Sequence, residues 1–220
     1  MDRRLFVLGA SAWAARAMSQ HAGGDWQEGT NYLRVQIKQL ATPPTSREAQ
    51  VVEVFSYTCP HCYRLEPYLQ RWIERHGTNL SFSRIHVVWS EHQRAYARLS
   101  LTIDLLGLPQ LHQAVFSALH TSHRQLLGKD ADDTFGLQER FAAENSVDPK
   151  KFATAYRSAA VDDQLKQSAD LLGSLPIDGT PTLLINNTYL TDPAKLQPHD
   201  EPGVFEQLIA LADFLLTKNT

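Results

Sequence analysis

Val51-Val52-Glu53-Val54-Phe55-Ser56-Tyr57-Thr58-Cys59-Pro60-His61-Cys62-Tyr63 is the stretch on which the fold of this chain turns. Its first part is rich in β-branched and aromatic residues and predicts a strand over Val51–Tyr57, buried on both faces. The amphipathic stretch from Tyr63 to Arg75 predicts a helix. A strand therefore delivers the only two cysteines of the chain to the start of a helix. Two intervening residues let the sulfurs close a small ring and reopen it with little backbone motion. The helix N-terminus stabilises a thiolate on Cys59. Pro60 suits the first helical turn, where its missing N–H costs nothing. His61 can set a partly cationic imidazole beside that thiolate. Lowering the Cys59 pKa from about 8.5 to about 4.5 would stabilise the reduced form by roughly 3.4 kcal/mol at pH 7. On a two-electron couple that is roughly 70 mV toward a stronger oxidant. The motif therefore favours a disulfide donor over a reductant.

Other chemistries fit the pair less well. A structural disulfide across four residues constrains little chain. Zinc needs four ligands, and His120 and His123 are a poor substitute for a second cysteine pair, so no metal is expected. Haem attachment wants His directly after the second cysteine, where this chain has Tyr63. No G-x-G-x-x-G motif occurs to hold a flavin or nicotinamide. No cofactor is expected, and electrons have to leave by thiol exchange.

Two carboxyls accompany the dithiol. Glu53 interrupts an apolar strand, and Glu66 lies about one helical turn after Cys62. Beneath the dithiol they would relay protons or tune the thiol pKa. The plainer alternatives are a solvent-facing strand position and a solvated helix face. His86, His92 and His112 read as surface or internally satisfied groups.

With 220 residues, 43% of them hydrophobic, the chain can build one sizeable core or one domain carrying an insertion. The net charge of −3 comes without a long basic run, so nucleic acid is not an expected partner. Arg3-Arg4, the short apolar run Leu5–Ala15 and Ala15-Arg16-Ala17 have the layout of a signal peptide over residues 1–17. The run is too short to span a bilayer as a relaxed helix. A general secretory signal fits better than a twin-arginine one, because the charged region is very short. An uncleaved amphipathic start is the alternative. Export would place the dithiol where glutathione and thioredoxin do not keep thiols reduced.

Further along, Tyr32–Lys38 predicts an edge strand, Ala41–Arg47 a loop and Leu80–Trp89 a strand. Apolar residues at three- and four-residue spacing predict helices over Ala95–Leu106, Gln110–Leu119, Phe135–Asn145, Pro149–Arg157 and Asp162–Leu172. Thr182–Asn186 and Thr188–Thr191 predict strands joined at Asn186-Asn187, a pair that tolerates positive φ. Val204–Leu216 predicts a closing helix. The class is α/β. Residues 26–90 and 163–217 form a sheet domain, interrupted by an all-helical insertion over 91–162.

Phe55 to Tyr63, with its Cys-Pro-His-Cys core, resembles the active site of the DsbA family. Trp26-Gln27-Glu28-Gly29-Thr30-Asn31-Tyr32 is similar to that family's mature N-terminal segment. Gly179-Thr180-Pro181, followed by Thr182–Asn186, is similar to its cis-proline loop and next strand. The resemblance implies a thioredoxin-like fold with an inserted all-helical domain, and the activity of a periplasmic thiol:disulfide oxidoreductase. It implies that Cys59 attacks, that Cys62 resolves, and that Thr180 and a cis Pro181 line the substrate site. It further implies reduced exported proteins as substrates and a DsbB-type membrane quinone reductase for reoxidation. The family's best-known members carry Val before the cis-proline. Thr180 is the residue of several isomerases and reductases of the thioredoxin superfamily, and such an enzyme is the alternative within that class. A thioredoxin-like module that only binds a partner or delivers a metal is the alternative outside it. No dimerisation segment precedes Tyr32, so a monomer is expected.

Overall fold

In a computed structural model that describes residues 25–37, 49–197 and 203–218, the run before the cysteines becomes an interior strand of a mixed sheet. The expected signal segment 1–17 and the expected loop Ala41–Arg47 lie outside the described residues. In chain order the elements are β1 (Leu33–Arg34), β2 (Ala49–Phe55), α1 (Pro60–His76), β3 (Leu80–His86) and α2 (Glu91–Leu105). They continue with α3 (Gln110–His120), α4 (Ala131–Glu144), α5 (Pro149–Tyr156) and α6 (Ala159–Ser174), then β4 (Thr182–Ile185), β5 (Tyr189–Thr191) and α7 (Gly203–Thr217). The strand order is β1-β5-β4-β2-β3, with β2 and β3 parallel and the remaining pairs antiparallel.

Side chains alternate across the sheet as a strand requires. Val51, Leu183, Ile185 and Tyr189 face α1 and α7, where Leu65, Leu69, Trp72, Leu208 and Leu211 complete a core. Val52, Val54, Leu184 and Leu190 face the other way, against α6 residues including Leu171 and Leu172. A third core fills the helical block and reaches the dithiol: Phe55, Tyr57 and Cys62 pack with Tyr96, Leu99, Val115, Phe116, Phe141 and Phe152.

Several elements begin earlier than their apolar periodicity, each at a polar cap. Ser90 accepts from the Gln93 amide and starts α2 at Glu91; Asp130 accepts from the Asp133 amide and starts α4 at Ala131. Ser158 caps α6 in the same way, so that helix runs unbroken across the expected division at residues 162–163. β1 covers two residues of the expected Tyr32–Lys38, because its partner β5 is itself only three residues long. The β4–β5 hairpin turns at Asn186 and Asn187, both with positive φ (48° and 53°). They are the central pair of a turn closed by the Thr188 amide on the Ile185 carbonyl at 3.0 Å, within a three-residue loop that pairs Ile185 with Tyr189. No helix among the described residues is long and apolar enough to cross a membrane.

Candidate active site

β2 ends at Phe55, and four residues later Cys59 caps α1 with Pro60 in its first turn. The Cys59 amide donates to the Ser56 carbonyl at 3.0 Å, and the Cys59 carbonyl accepts from the Tyr63 amide at 3.2 Å. The loop is thereby tied to the helix on both sides of the sulfur. Both cysteines are free thiols; Cys59 is partly exposed and Cys62 buried. No acidic residue occupies the first turn of α1, so nothing there opposes an anion on Cys59. The Cys59 pKa is lowered to about 5, first by a hydrogen bond from the Cys62 thiol, then by Thr180 and by the backbone at Cys62 and His61, against the cost of burial. Burial pushes the Cys62 thiol strongly upward, and hydrogen bonding to Cys59 adds to it. One sulfur is thus held as thiolate and the other as thiol, an asymmetry that fits attack by an incoming thiol at Cys59.

His61 stands in the first turn of α1 beside Cys59, and the Arg64 guanidinium lies 3.1 Å from its Nδ1. The His61 backbone is among the groups that lower the Cys59 pKa.

Glu53 and Glu66 are both buried, on facing elements, and a third residue joins them. Arg84 stands opposite Glu53 in the β2–β3 register. Its Nε donates to Glu53 at 2.9 Å and its Nη2 to Glu66 at 2.7 Å. One guanidinium thus serves two carboxyls. Burial raises the Glu53 pKa to about 8, with Arg84 opposing and Glu66 adding to the rise. Glu53 Oε1 is buried without a hydrogen-bond partner, which leaves it as the oxygen to hold a proton. The Glu53 charge acts on both sulfurs.

Tyr57, also fully buried, binds a histidine through each of its polar groups. Its amide donates to His86 Nε2 at 3.0 Å, its carbonyl accepts from His120 Nε2 at 2.8 Å, and its hydroxyl meets His112 Nδ1 at 2.5 Å. His112 Nε2 in turn donates to Asp104 at 2.9 Å. Burial lowers the His86 pKa to about 4, so the ring stays neutral and its Nδ1–H donates to the Val87 carbonyl. His120 also stacks flat on Tyr63, at 4.8 Å and 6°. Helix α3 therefore grips both sides of the dithiol motif. His92 is exposed.

Thr180 and Pro181 lie against the dithiol from the far end of the sequence. The Thr180–Pro181 bond is cis, and the Thr180 carbonyl oxygen lies 3.3 Å from the Cys59 sulfur, near enough to accept from it when Cys59 is protonated. A groove of about 310 Å³ opens beside this contact, lined by His61, Asp178, Thr180, Pro181, Pro193 and Val204 among others.

A thioredoxin family model matches residues 46–200. The thiol:disulfide interchange protein DsbA of Burkholderia cepacia is 32% identical, over 98% of this chain and 96% of its own. The chain belongs to the DsbA family. The DsbA of Bordetella parapertussis is 31% identical over 80% of this chain and 82% of its own. The crystal structure of Pseudomonas aeruginosa DsbA superposes with a TM-score of 0.73 at 28% identity, covering 87% of this chain and 93% of that one. The protein is accordingly a thiol:disulfide oxidoreductase with a thioredoxin fold that carries a helical insertion, and Cys59-Pro60-His61-Cys62 is its redox motif.

Sequence reasoning did not single out Arg84 or Tyr57, and it took His86 and His112 only as surface or internally satisfied groups. A signal for Arg84 existed: the alternation of Leu80 and Phe82 slips phase before Ile85, and Arg84 sits at the slip. No comparable signal marked Tyr57, whose histidine partners come from the end of β3 and from α3.

Proposed function

We propose that this protein is an exported disulfide donor acting in the periplasm on reduced exported proteins. The observation that carries the proposal is the unequal setting of the two sulfurs, Cys59 partly exposed at the start of α1 with its pKa lowered and Cys62 buried behind it with its pKa raised. A substrate thiolate attacks Cys59 of the oxidised enzyme, and the Cys59–Cys62 bond breaks. The electron pair goes to Cys62, which takes a proton because its site disfavours an anion. Glu53, protonated near neutral pH, supplies that proton, and Glu66 with Arg84 sets its charge balance. A second substrate thiolate attacks the substrate sulfur of the mixed disulfide and releases Cys59 as thiolate, its stable form. Thr180 and Pro181 hold the substrate chain across Cys59 by strand addition. Reoxidation runs by the reverse exchange with a DsbB-type membrane quinone reductase, and the enzyme works as a monomer.

Turnover tests this. Catalytic amounts of the oxidised protein, with an oxidant to recycle it, should oxidise many equivalents of a reduced unfolded protein. Stoichiometric reaction without turnover would instead describe a binding module.

A further inference from the structure

The groove beside the dithiol is lined by apolar Pro181, Pro193, Ala194 and Val204 and by acidic Asp178 and Asp192. The two aspartates differ in their commitments. Asp192 caps a short 3-10 turn by accepting from the Ala194 amide at 2.9 Å, and pairs with Lys195 at 3.1 Å. Asp178 is exposed, and among the described residues no cation or donor engages its carboxylate. Arg64, the cation next to His61, lines a different groove with Tyr63 and Pro67. Among the described lining residues, Asp178 is therefore the carboxylate whose charge no ion pair offsets.

Asp178 precedes Thr180, whose carbonyl is 3.3 Å from the Cys59 sulfur, by two residues. A polypeptide laid in extended form along this loop advances about 3.3 Å per residue. A side chain about two residues from the substrate cysteine then comes opposite Asp178, within reach of a Lys or Arg stem. We propose that Asp178 is a specificity-determining residue that favours substrate segments carrying a basic residue close to the reacting cysteine. Opposite charges at such separations attract weakly in water but raise the rate of encounter, and salt screens them. The proposal rests on thiol–disulfide exchange at Cys59 and holds for either direction of electron flow.

The test uses two single-cysteine peptides, identical except for Lys or Glu two residues before the cysteine. The rate of mixed-disulfide formation with the oxidised protein is measured at low salt. The Lys peptide should react about threefold to tenfold faster, and the ratio should fall toward one at 0.5 M salt, as screening requires. Asp178→Asn should shrink the ratio and Asp178→Lys should invert it. A ratio near one in the unaltered protein, or one that neither substitution changes, overturns the assignment. Because both peptides meet the same preparation, a partly misfolded variant lowers both rates and leaves the ratio readable. Failure of the donor reading would show in turnover and not in this ratio.

Discussion

At the scale of single residues, the site depends on the unequal treatment of two sulfurs. Cys59 is held near pKa 5 with the Cys62 thiol as its first stabilising partner. Cys62→Ala should therefore move the Cys59 thiolate midpoint, read by absorbance near 240 nm, upward toward the ordinary value of about 8.5. Cys62→Ser should move it less, because a hydroxyl still donates. An unmoved midpoint in Cys62→Ala would show that the helix terminus alone holds the thiolate. Glu53 behaves in the opposite sense. Its folded pKa of about 8 lies above the ordinary carboxyl value, so the stability it contributes is complete below about pH 4.5 and is lost as pH rises through 8. Glu53→Gln should flatten stability against pH between 5 and 8 by at most about 1.4 kcal/mol per pH unit, the effect of one proton. Denaturant melts at several pH values check this, and an unchanged slope would place the proton elsewhere. The two cysteines and Glu53 were legible in the sequence because each breaks a local pattern. The contact between His61 and Arg64 was not, since it depends on where the Arg64 side chain turns.

At the scale of elements, the helical block matters for where it grips. Helix α3 reaches the dithiol through His112 and His120, which hold the hydroxyl and carbonyl of Tyr57. His112→Phe keeps an aromatic ring but removes the histidine partner of the buried Tyr57 hydroxyl, which is left with Ser100 alone. An unsatisfied buried polar group costs about 1–3 kcal/mol, and the loss should appear in the unfolding midpoint at unchanged denaturant dependence. A neutral result would show that Ser100 satisfies the hydroxyl by itself. Most elements were legible from periodicity, and both asparagines of the β4–β5 turn adopt the positive φ expected of them. The helix starts were harder to place. Glu91-His92-Gln93 and Ala131-Asp132-Asp133 carry no apolar face, and only the caps Ser90 and Asp130 mark where α2 and α4 begin. The boundary of the insertion was blurred for a related reason: α6 starts among the helical block and ends against the sheet, with Leu172 beside Val54. Contacts between distant stretches, such as Arg84 with Glu53 and Glu66, depend on register between strands, which a single strand's own pattern does not contain.

At the scale of the whole molecule, stabilising the Cys59 thiolate in the fold has a thermodynamic consequence. The folded pKa of about 5 lies below the unfolded value of about 8.5, so the added stability of the reduced form is complete above the unfolded value. It is lost as pH falls through 5. Reduced protein should therefore unfold at higher denaturant than oxidised protein at pH 7, with the gap closing on acidification. A disulfide serving as a structural staple would give the opposite order. The same linkage makes the disulfide easy to reduce and hence oxidising toward others. The equilibrium of the Cys59–Cys62 couple against glutathione buffers at pH 7 tests that claim most directly. A donor should remain reduced in buffers that leave most dithiols oxidised, with a potential above about −180 mV, the level of protein disulfide isomerase. A potential near about −270 mV, where thioredoxin works as a reductant, would contradict it.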